Sequence, residues 1–156
     1  MTAADNKRIV TEAFDGLSRA DGRAFFDAIA DDIVWIIEGQ SRYSRRYEGK
    51  AAIQNELVPA LFANFATDYR NFADAIIAED DRVVVLARGE VKTVRGEDYN
   101  NRYCFVLRMR GGKIVELREY MDTALAEARL VMGNVEGGSA STTKAGSYTY
   151  RRRRNA

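Results

Sequence analysis

The sequence predicts an α+β fold, in which helices pack on one face of a curved, mostly antiparallel sheet. Helical patterns dominate the first 65 residues, and β-type runs fill most of the stretch from 69 to 121, an order typical of α+β domains. The last two runs flank Gly111 and Gly112, which predicts a hairpin. A strongly bent sheet closed by helices encloses a hollow, so we expect a cone-shaped α+β barrel with an internal cavity.

Four helices are predicted. Residues 5–19 carry apolar side chains at helical spacing: Ile9, Val10, Ala13, Phe14 and Leu17. A second, short helix follows, with Phe25, Phe26 and Ile29 on its core side. A third spans 50–65, where Pro59 should kink or split it. The fourth spans 123–132.

Five β-type runs are predicted. The first, 33–37, is continuously apolar, which is typical of a strand covered on both faces. The others span about 69–79, 82–95, 99–110 and 113–121. The polar stretch 39–49 interleaves arginines with tyrosines, a pattern that favours an ordinary exposed loop over one that binds RNA or an anionic ligand.

The composition changes near Gly133. Residues 133–156 are rich in Gly, Ser and Thr and end in a run of arginines, Arg151 to Arg154, which indicates a flexible basic tail. The chain therefore divides into a domain over 1–132 and a tail over 133–156. Its length suits a single domain with a sizeable core.

Charge and residue counts exclude several classes of function. The net charge of +1 argues against a nucleic-acid partner. A single cysteine, Cys104, excludes an internal disulfide and a cysteine-cluster metal site. The absence of histidine removes Ser-His and Cys-His nucleophiles and most zinc sites. We expect no cofactor, no metal, no membrane span and a cytoplasmic location, with acid–base chemistry left to Asp, Glu, Lys, Tyr or Cys.

The last β-type run carries the main candidate for chemistry. Strand side chains alternate between faces, so one face of this run presents Val115, Leu117, Glu119 and Met121. A carboxylate in an apolar row is costly unless it is paired, protonated or used in catalysis. Glu119 is therefore expected to point into the cavity with a raised pKa, unless a cation outweighs its desolvation.

A second row, in the run 82–95, holds Val84, Leu86, Arg88 and Glu90. If this row lines the same hollow as Glu119, the site contains two carboxylates and one guanidinium. Arg88 would then keep one acid ionised as a base while the other stays protonated as an acid. The alternative is a structural ion pair on a solvated strand face.

The opposite row of that run is small and apolar: Val83, Val85, Ala87 and Val91. It needs cover that one layer of helices cannot provide if the helices line the other face, so we expect a two-fold homodimer through it. The substrate-binding wall is expected to include Trp35, Ile37, Tyr103, Phe105, Leu117 and Met121. Tyr103 either donates a hydrogen bond into the cavity or is an ordinary core tyrosine.

Three segments carry a family resemblance: A-I-A-D-D-I-V-W at 28–35, Y-E-G-K-A-A-I at 47–53 and G-G-K-I-V-E-L-R-E-Y-M-D at 111–122. Their order and spacing resemble the SnoaL-like branch of the nuclear-transport-factor-two-like superfamily over about residues 5–132. The resemblance implies a cone-shaped α+β barrel, usually dimeric, with a cavity for a small, mostly apolar molecule. Members include ketosteroid isomerases, polyketide cyclases, limonene-epoxide-hydrolase-like enzymes, dehydratases and non-catalytic binders, so the fold does not fix the function.

The resemblance separates these activities residue by residue. Ile37 stands where ketosteroid isomerases carry their base, which argues against that chemistry. Arg88-Gly89-Glu90 looks similar to the Arg-x-Asp of the epoxide hydrolases, and Glu119 matches the acid on their last strand. Cyclases of the branch use a cavity carboxylate, a role open to Glu119 or Asp122.

These comparisons predict a cofactor-free acid–base enzyme that is hydrolase- or cyclase-like and acts on a small apolar or lightly polar molecule. The alternative is a non-catalytic ligand-binding or protein-interaction module.

Overall fold

The computed structural model describes residues 1–131, which form a curved, unclosed six-stranded sheet with helices. The helices are α1 (Ala3–Ser18), α2 (Arg23–Ala28), α3 (Lys50–Ala52), α4 (Val58–Phe62) and α5 (Thr123–Arg129), and a π-helical segment, Ile53–Leu57, joins α3 to α4. The strands are β1 (Ile29–Ile37), β2 (Arg45–Glu48), β3 (Arg70–Glu79), β4 (Arg82–Glu90), β5 (Arg102–Arg110) and β6 (Lys113–Met121).

The strands lie in the order β2-β1-β6-β5-β4-β3. β1 and β6 pair in parallel, whereas the other neighbours are antiparallel. Gly111 and Gly112 turn the β5–β6 hairpin, both with positive φ angles that glycine adopts without a steric penalty. The predicted α+β class and the mostly antiparallel sheet are confirmed.

Register identifies the face of the sheet that packs on the helices. Val85 on β4 pairs with Phe105 on β5, which pairs with Glu119 on β6, which in turn pairs with Ile37 on β1. Paired residues share a face, so this transverse row lies on one side of the sheet. Phe14 of α1 packs on that side, with its ring centroid 5.7 Å from that of Phe105. We call this side the inner face.

The rows of β4 are therefore reversed from the sequence-based expectation. Val83 and Val85 are fully buried on the inner face, whereas Leu86 is 44% exposed on the outer face. Helix α1 and the neighbouring strands bury the small apolar row, so it does not need a second copy of the chain to cover it. Alternation correctly separated the two rows, but it carries no information about which row faces the helices.

β2 lies within the stretch expected to be a loop. Tyr47, its one inward-facing apolar residue, pairs with Trp35 of β1 and is only 2% exposed. Its neighbours Arg46 and Glu48 are exposed and form an ion pair along the strand, 2.8 Å from Nε to Oε1. A four-residue strand with one buried side chain has too little apolar pattern to be distinguished from a loop in the sequence.

The helical stretch after β2 changes its hydrogen bonding just before Pro59. Pro59 has no N–H and its ring crowds the carbonyl one turn earlier. The π-helical segment ends there, with the Val58 N–H bonded to the Ile53 carbonyl five residues back. This wider turn still buries Ile53 and Leu57, so the expected disturbance of the helix is present as a local change of helix type.

The carboxylate of Asp122 caps α5 by accepting a hydrogen bond from the Leu125 N–H at 3.1 Å.

The predicted tail over 133–156 lies outside the described residues. Within residues 1–131, no helix is long and apolar enough to cross a membrane.

A candidate active site around a buried glutamate

Glu119 occupies the centre of the inner face. It lies between Ile37 on one neighbouring strand and Phe105 on the other. Only 8% of the residue is exposed. Leu117 is fully buried beside it, and Met121 is half-buried. The expectation that Glu119 points inward with these two residues is confirmed.

Burial raises the pKa of Glu119 to about 7, from an ordinary value of 4.5. A hydrogen bond from the indole N–H of Trp35 to Glu119 Oε2, 2.8 Å long, acts in the opposite direction and favours the ionised form. Among the described residues, no lysine or arginine forms an ion pair with Glu119. The carboxyl group therefore titrates near neutral pH in an apolar environment.

A group of tyrosines lies near this carboxyl group. The hydroxyl of Tyr69 donates to the hydroxyl of Tyr103 at 2.7 Å, and the side-chain amide of Asn71 donates to Tyr69 at 3.3 Å. Burial raises the pKa of the Tyr69, Tyr99 and Tyr103 phenols, and the charge of Glu119 raises all three further. These phenols are therefore protonated and can donate hydrogen bonds at neutral pH.

Asn101 fixes one end of the tyrosine group. It is fully buried, and its side-chain amide nitrogen lies 3.1 Å from the Tyr99 hydroxyl and 3.0 Å from the Asp122 carbonyl, donating to both oxygens. Its side-chain oxygen accepts from the backbone N–H of Asp122 at 3.2 Å and of Arg102 at 2.8 Å. The end of β6 is thus tied to the start of β5, next to Tyr99.

Half-buried aromatic side chains pack against Trp35 and Tyr69. Phe25 of α2 lies edge-on to Trp35 with ring centroids 6.0 Å apart, and Phe62 of α4 lies edge-on to Tyr69 at the same distance. Two surface clefts formed by described residues, about 280 and 480 Å³ in volume, lie elsewhere, and neither includes Glu119.

The residues expected to bind substrate share the inner face with Glu119. They are Trp35, Ile37, Tyr103, Phe105, Leu117 and Met121. Trp35 contacts Glu119 directly through its indole hydrogen bond, and Tyr103 stacks on Phe105 with ring centroids 5.2 Å apart. Their role in ligand binding remains a prediction.

Arg88 and Glu90 lie on the opposite, outer face of the sheet. Arg88 donates to Glu90 Oε1 at 2.8 Å and to Asp74 Oδ1 at 3.2 Å, and its side chain is 41% exposed. The expectation that Arg88 lies between Glu90 and Glu119 in one hollow is therefore wrong. The two β4 residues form a surface ion pair, which was the alternative considered for that row.

Sequence reasoning missed Tyr69, Asn71 and Tyr99. A signal was present, because Asp-Tyr-x-Asn occurs twice, at 68–71 and at 98–101. In both copies the asparagine amide donates to the tyrosine hydroxyl two residues before it. The two copies precede or begin β3 and β5, so each brings a phenol and an amide to the same end of the hollow.

The sequence and the fold both have relatives. A model of the SnoaL-like domain matches residues 10–117, whereas no curated protein matches the chain. Bal32a, from a soil-derived mobile gene cassette, has 18% identity and a TM-score of 0.71, over 83% of this chain and 98% of that one. A putative SnoaL-like polyketide cyclase from a Jannaschia species has 18% identity and a TM-score of 0.68, over 83% and 93%.

TerC, co-crystallised with polyporic acid, has 22% identity and a TM-score of 0.67, over 80% of this chain and 97% of that one. At such identities the solved structures support the fold alone. The family model, however, spans most of the domain, from α1 to the middle of β6. Because this model matches well over half of the chain, the chain belongs to the SnoaL-like domain family.

Proposed function

We propose that this protein is a cofactor-free acid–base enzyme of the cyclase type, acting on a small, mostly apolar carbonyl compound. The observation that carries the proposal is Glu119, a buried carboxyl group with a pKa of about 7 on an apolar, aromatic face. A catalytic base works best when its pKa lies near the working pH. Strongly shifted pKa values are also more frequent at functional sites than elsewhere.

Proton abstraction next to a carbonyl group suits this environment. Ionised Glu119 takes the proton of the C–H bond, and the electron pair of that bond remains on the substrate as an enolate. The enolate carbon then attacks a second carbonyl carbon of the same molecule, and the π electrons of that carbonyl move onto its oxygen. Glu119 returns the proton to this oxygen, which completes the ring and regenerates the base. The hollow carries one negative charge throughout, so no second charge has to be buried. Phenol hydroxyls can stabilise the enolate oxygen as hydrogen-bond donors.

Two relatives support a small organic ligand. One is described as a putative SnoaL-like polyketide cyclase and another was co-crystallised with polyporic acid. The epoxide-hydrolase-like alternative has less support, because Arg88 and Glu90 lie on the outer face and cannot assist Glu119. We therefore favour the cyclase-like chemistry over hydrolysis.

A non-catalytic binding module is the second candidate. It is favoured by the tight enclosure of Glu119, which the two surface clefts do not reach. A binder would hold an apolar ligand against the same aromatic wall without moving a proton. The two candidates differ in what Glu119 does once a ligand is bound.

Deuterium exchange distinguishes them without knowledge of the complete reaction. A panel of cyclic 1,3-diketones and linear poly-keto esters is incubated with the protein in D₂O, and exchange at the α-carbon is followed by NMR. The enzyme should accelerate exchange, and Glu119→Gln should abolish the acceleration because Gln keeps the size but cannot accept the proton. Glu116→Gln, the matched change on the outward side of β6, should exchange at the wild-type rate.

Acceleration that survives in Glu119→Gln would refute this assignment. Ligand binding without exchange, equal in wild type and Glu119→Gln, would support the binding module. Epoxide turnover that is lost in Arg88→Gln would restore the hydrolase-like alternative.

We also propose a homodimer, through a surface other than the one expected from the sequence. The outer face carries large apolar side chains that water reaches: Ile77 is 59% exposed, Leu86 44% and Tyr120 46%. Ile77 lies beside Val84 across the β3–β4 pair. A contiguous apolar sheet face of this kind is typical of an interface between two copies of a chain.

A further inference from the structure

The tyrosine group forms a directed chain of hydrogen bonds. The Asn71 amide donates a hydrogen bond to the Tyr69 hydroxyl, and the Tyr69 hydroxyl donates one to the Tyr103 hydroxyl oxygen. The Tyr103 hydroxyl is also hydrogen-bonded to the Tyr99 hydroxyl. A ligand oxygen can replace Tyr99 as the acceptor of the Tyr103 proton, and a phenol that accepts a hydrogen bond becomes a stronger donor itself. Tyr103 pairs with Met121 across β5 and β6 and is a diagonal neighbour of Glu119. The chain thus ends beside the base.

Gly89 provides the space for these rings. A Cβ atom at this position would lie 2.9 Å from Tyr69 Cε2, 3.2 Å from the Tyr69 hydroxyl and 3.3 Å from Tyr103 Cε2. Its backbone does not need a positive φ. Glycine at this inner-face position therefore serves the packing of the two phenols and not the shape of the strand.

Asn71 adds a third, independent observation. The residue is 6% exposed, and its side-chain oxygen is buried without a hydrogen-bond partner. Buried polar atoms are nearly always paired, so an unpaired one has to be explained. A ligand hydroxyl that donates to this oxygen would supply the missing partner.

We infer that Asn71, Tyr69 and Tyr103 form a subsite that binds an oxygen atom of the ligand. Its occupant is a carbonyl, enol or phenol oxygen. Tyr103 donates a hydrogen bond to this oxygen, and Asn71 Oδ1 accepts one from it when the oxygen carries a proton. Tyr69 is a positioning residue, and Gly89 leaves room for its ring. The inference deepens the proposed function, on which it rests for the nature of the ligand. It narrows the substrates to compounds whose acidic C–H and oxygen are close enough to meet Glu119 and Tyr103 together.

A pair of probes tests the subsite separately from catalysis. 4-Nitrophenol offers an oxygen that can ionise, whereas 4-nitrotoluene has the same size and no such oxygen. Binding of both is measured by titration calorimetry in a Glu119→Gln background, which removes the carboxylate that would repel a phenolate. The absorbance of bound nitrophenol reports its ionisation. Because Glu119 is already replaced, the result does not depend on whether it is the base.

Three variants are compared in that background. Tyr103→Phe should weaken nitrophenol binding by about 10- to 100-fold, as expected for a lost hydrogen bond to a charged group, and change nitrotoluene binding by less than about 2-fold. Tyr69→Phe should weaken nitrophenol binding by about 3- to 10-fold and raise the pKa of the bound nitrophenol. Gly89→Ala should give the same pattern, because it displaces the Tyr69 ring.

Tyr120→Phe, which removes an exposed hydroxyl on the outer face, is the matched control and should change neither ligand. Equal losses for nitrophenol and nitrotoluene would mean that the tyrosines only shape the wall, and would overturn the inference. An unchanged affinity in Tyr103→Phe, or no binding of nitrophenol to the parent protein, would also overturn it. Failure of the exchange assay with Glu119 would instead overturn the proposed base and leave these binding results standing.

Discussion

Glu119 couples the chemistry of the site to the stability of the fold. Its pKa is raised to about 7 in the folded protein, against an ordinary 4.5, so the folded state holds a proton that the unfolded state has lost between these values. The contribution of Glu119 to the free energy of unfolding should therefore be highest below about pH 4.5, fall as the pH rises to about 7, and level off above it. The loss from this group is about 3 kcal/mol.

Glu119→Gln should remove that loss and be the more stable protein at pH 8. Urea unfolding of both proteins between pH 4 and 8 measures the difference. Glu116→Gln is the control, because its ion pair with Arg118 lies on the outer face and contributes little. Parallel curves for wild type and Glu119→Gln would show that Glu119 does not titrate near neutral pH.

Trp35 should set the pH at which the site works. Its indole N–H stabilises the ionised form of Glu119, so Trp35→Phe should move the pKa of this carboxyl group further upward. The pH–rate profile for α-proton exchange is expected to shift to higher pH, with little change in the plateau rate. Tyr120→Phe, on the outer face of the same strand as Glu119, should leave the profile where it is. A profile that Trp35→Phe leaves unchanged would show that this hydrogen bond has no influence on the base.

The alternation of side chains along each strand places residues on one face of the sheet or the other. Replacing a leucine with alanine should therefore lower the free energy of unfolding more on the inner face than on the outer face. Leu107 is fully buried on the inner face of β5, whereas Leu86 is 44% exposed on the outer face of β4. Leu107→Ala should lower the free energy of unfolding by about 2–5 kcal/mol. Leu86→Ala, measured at a protein concentration low enough to dissociate the proposed dimer, should lower it by less than about 1 kcal/mol. Chemical denaturation measures both, and similar losses would contradict the assignment of the faces.

The sequence predicted the rows within each strand better than it predicted how the strands face one another. The last strand was predicted over 113–121 and its inward row around Glu119 was correct, because three apolar residues flank one acid. The β4 row was placed on the wrong face, because both of its rows begin with valines and only packing against α1 separates them. The Asp-Tyr-x-Asn copies went unnoticed because the amide–phenol bonds that give them meaning are visible only in three dimensions.

For the whole molecule, the proposed dimer gives a direct measurement. Light scattering at micromolar concentration should give about twice the 17.5 kDa of one chain. Leu86→Asp, which places a charge in the outer apolar face, should shift the mass to that of one chain because desolvating the charge opposes association. Val94→Asp, at an exposed valine that is 66% accessible and outside the strands, is the control. A wild-type mass of one chain would exclude the dimer.

The parallel pairing of β1 with β6 determines at which stage of folding the site forms. Trp35 and Glu119, joined across it, are 84 residues apart, whereas the β1–β2 hairpin and the run from β3 to β6 are built from contacts nearer along the chain. Local contacts form before distant ones, and a growing polypeptide emerges from its N-terminus. The ribosome thus releases β1 long before β6, the strand that pairs with β1 on the side opposite β2. Until β6 docks against β1, Glu119 stays in water as an ordinary acid, and we expect its pKa to rise only when these two strands pair.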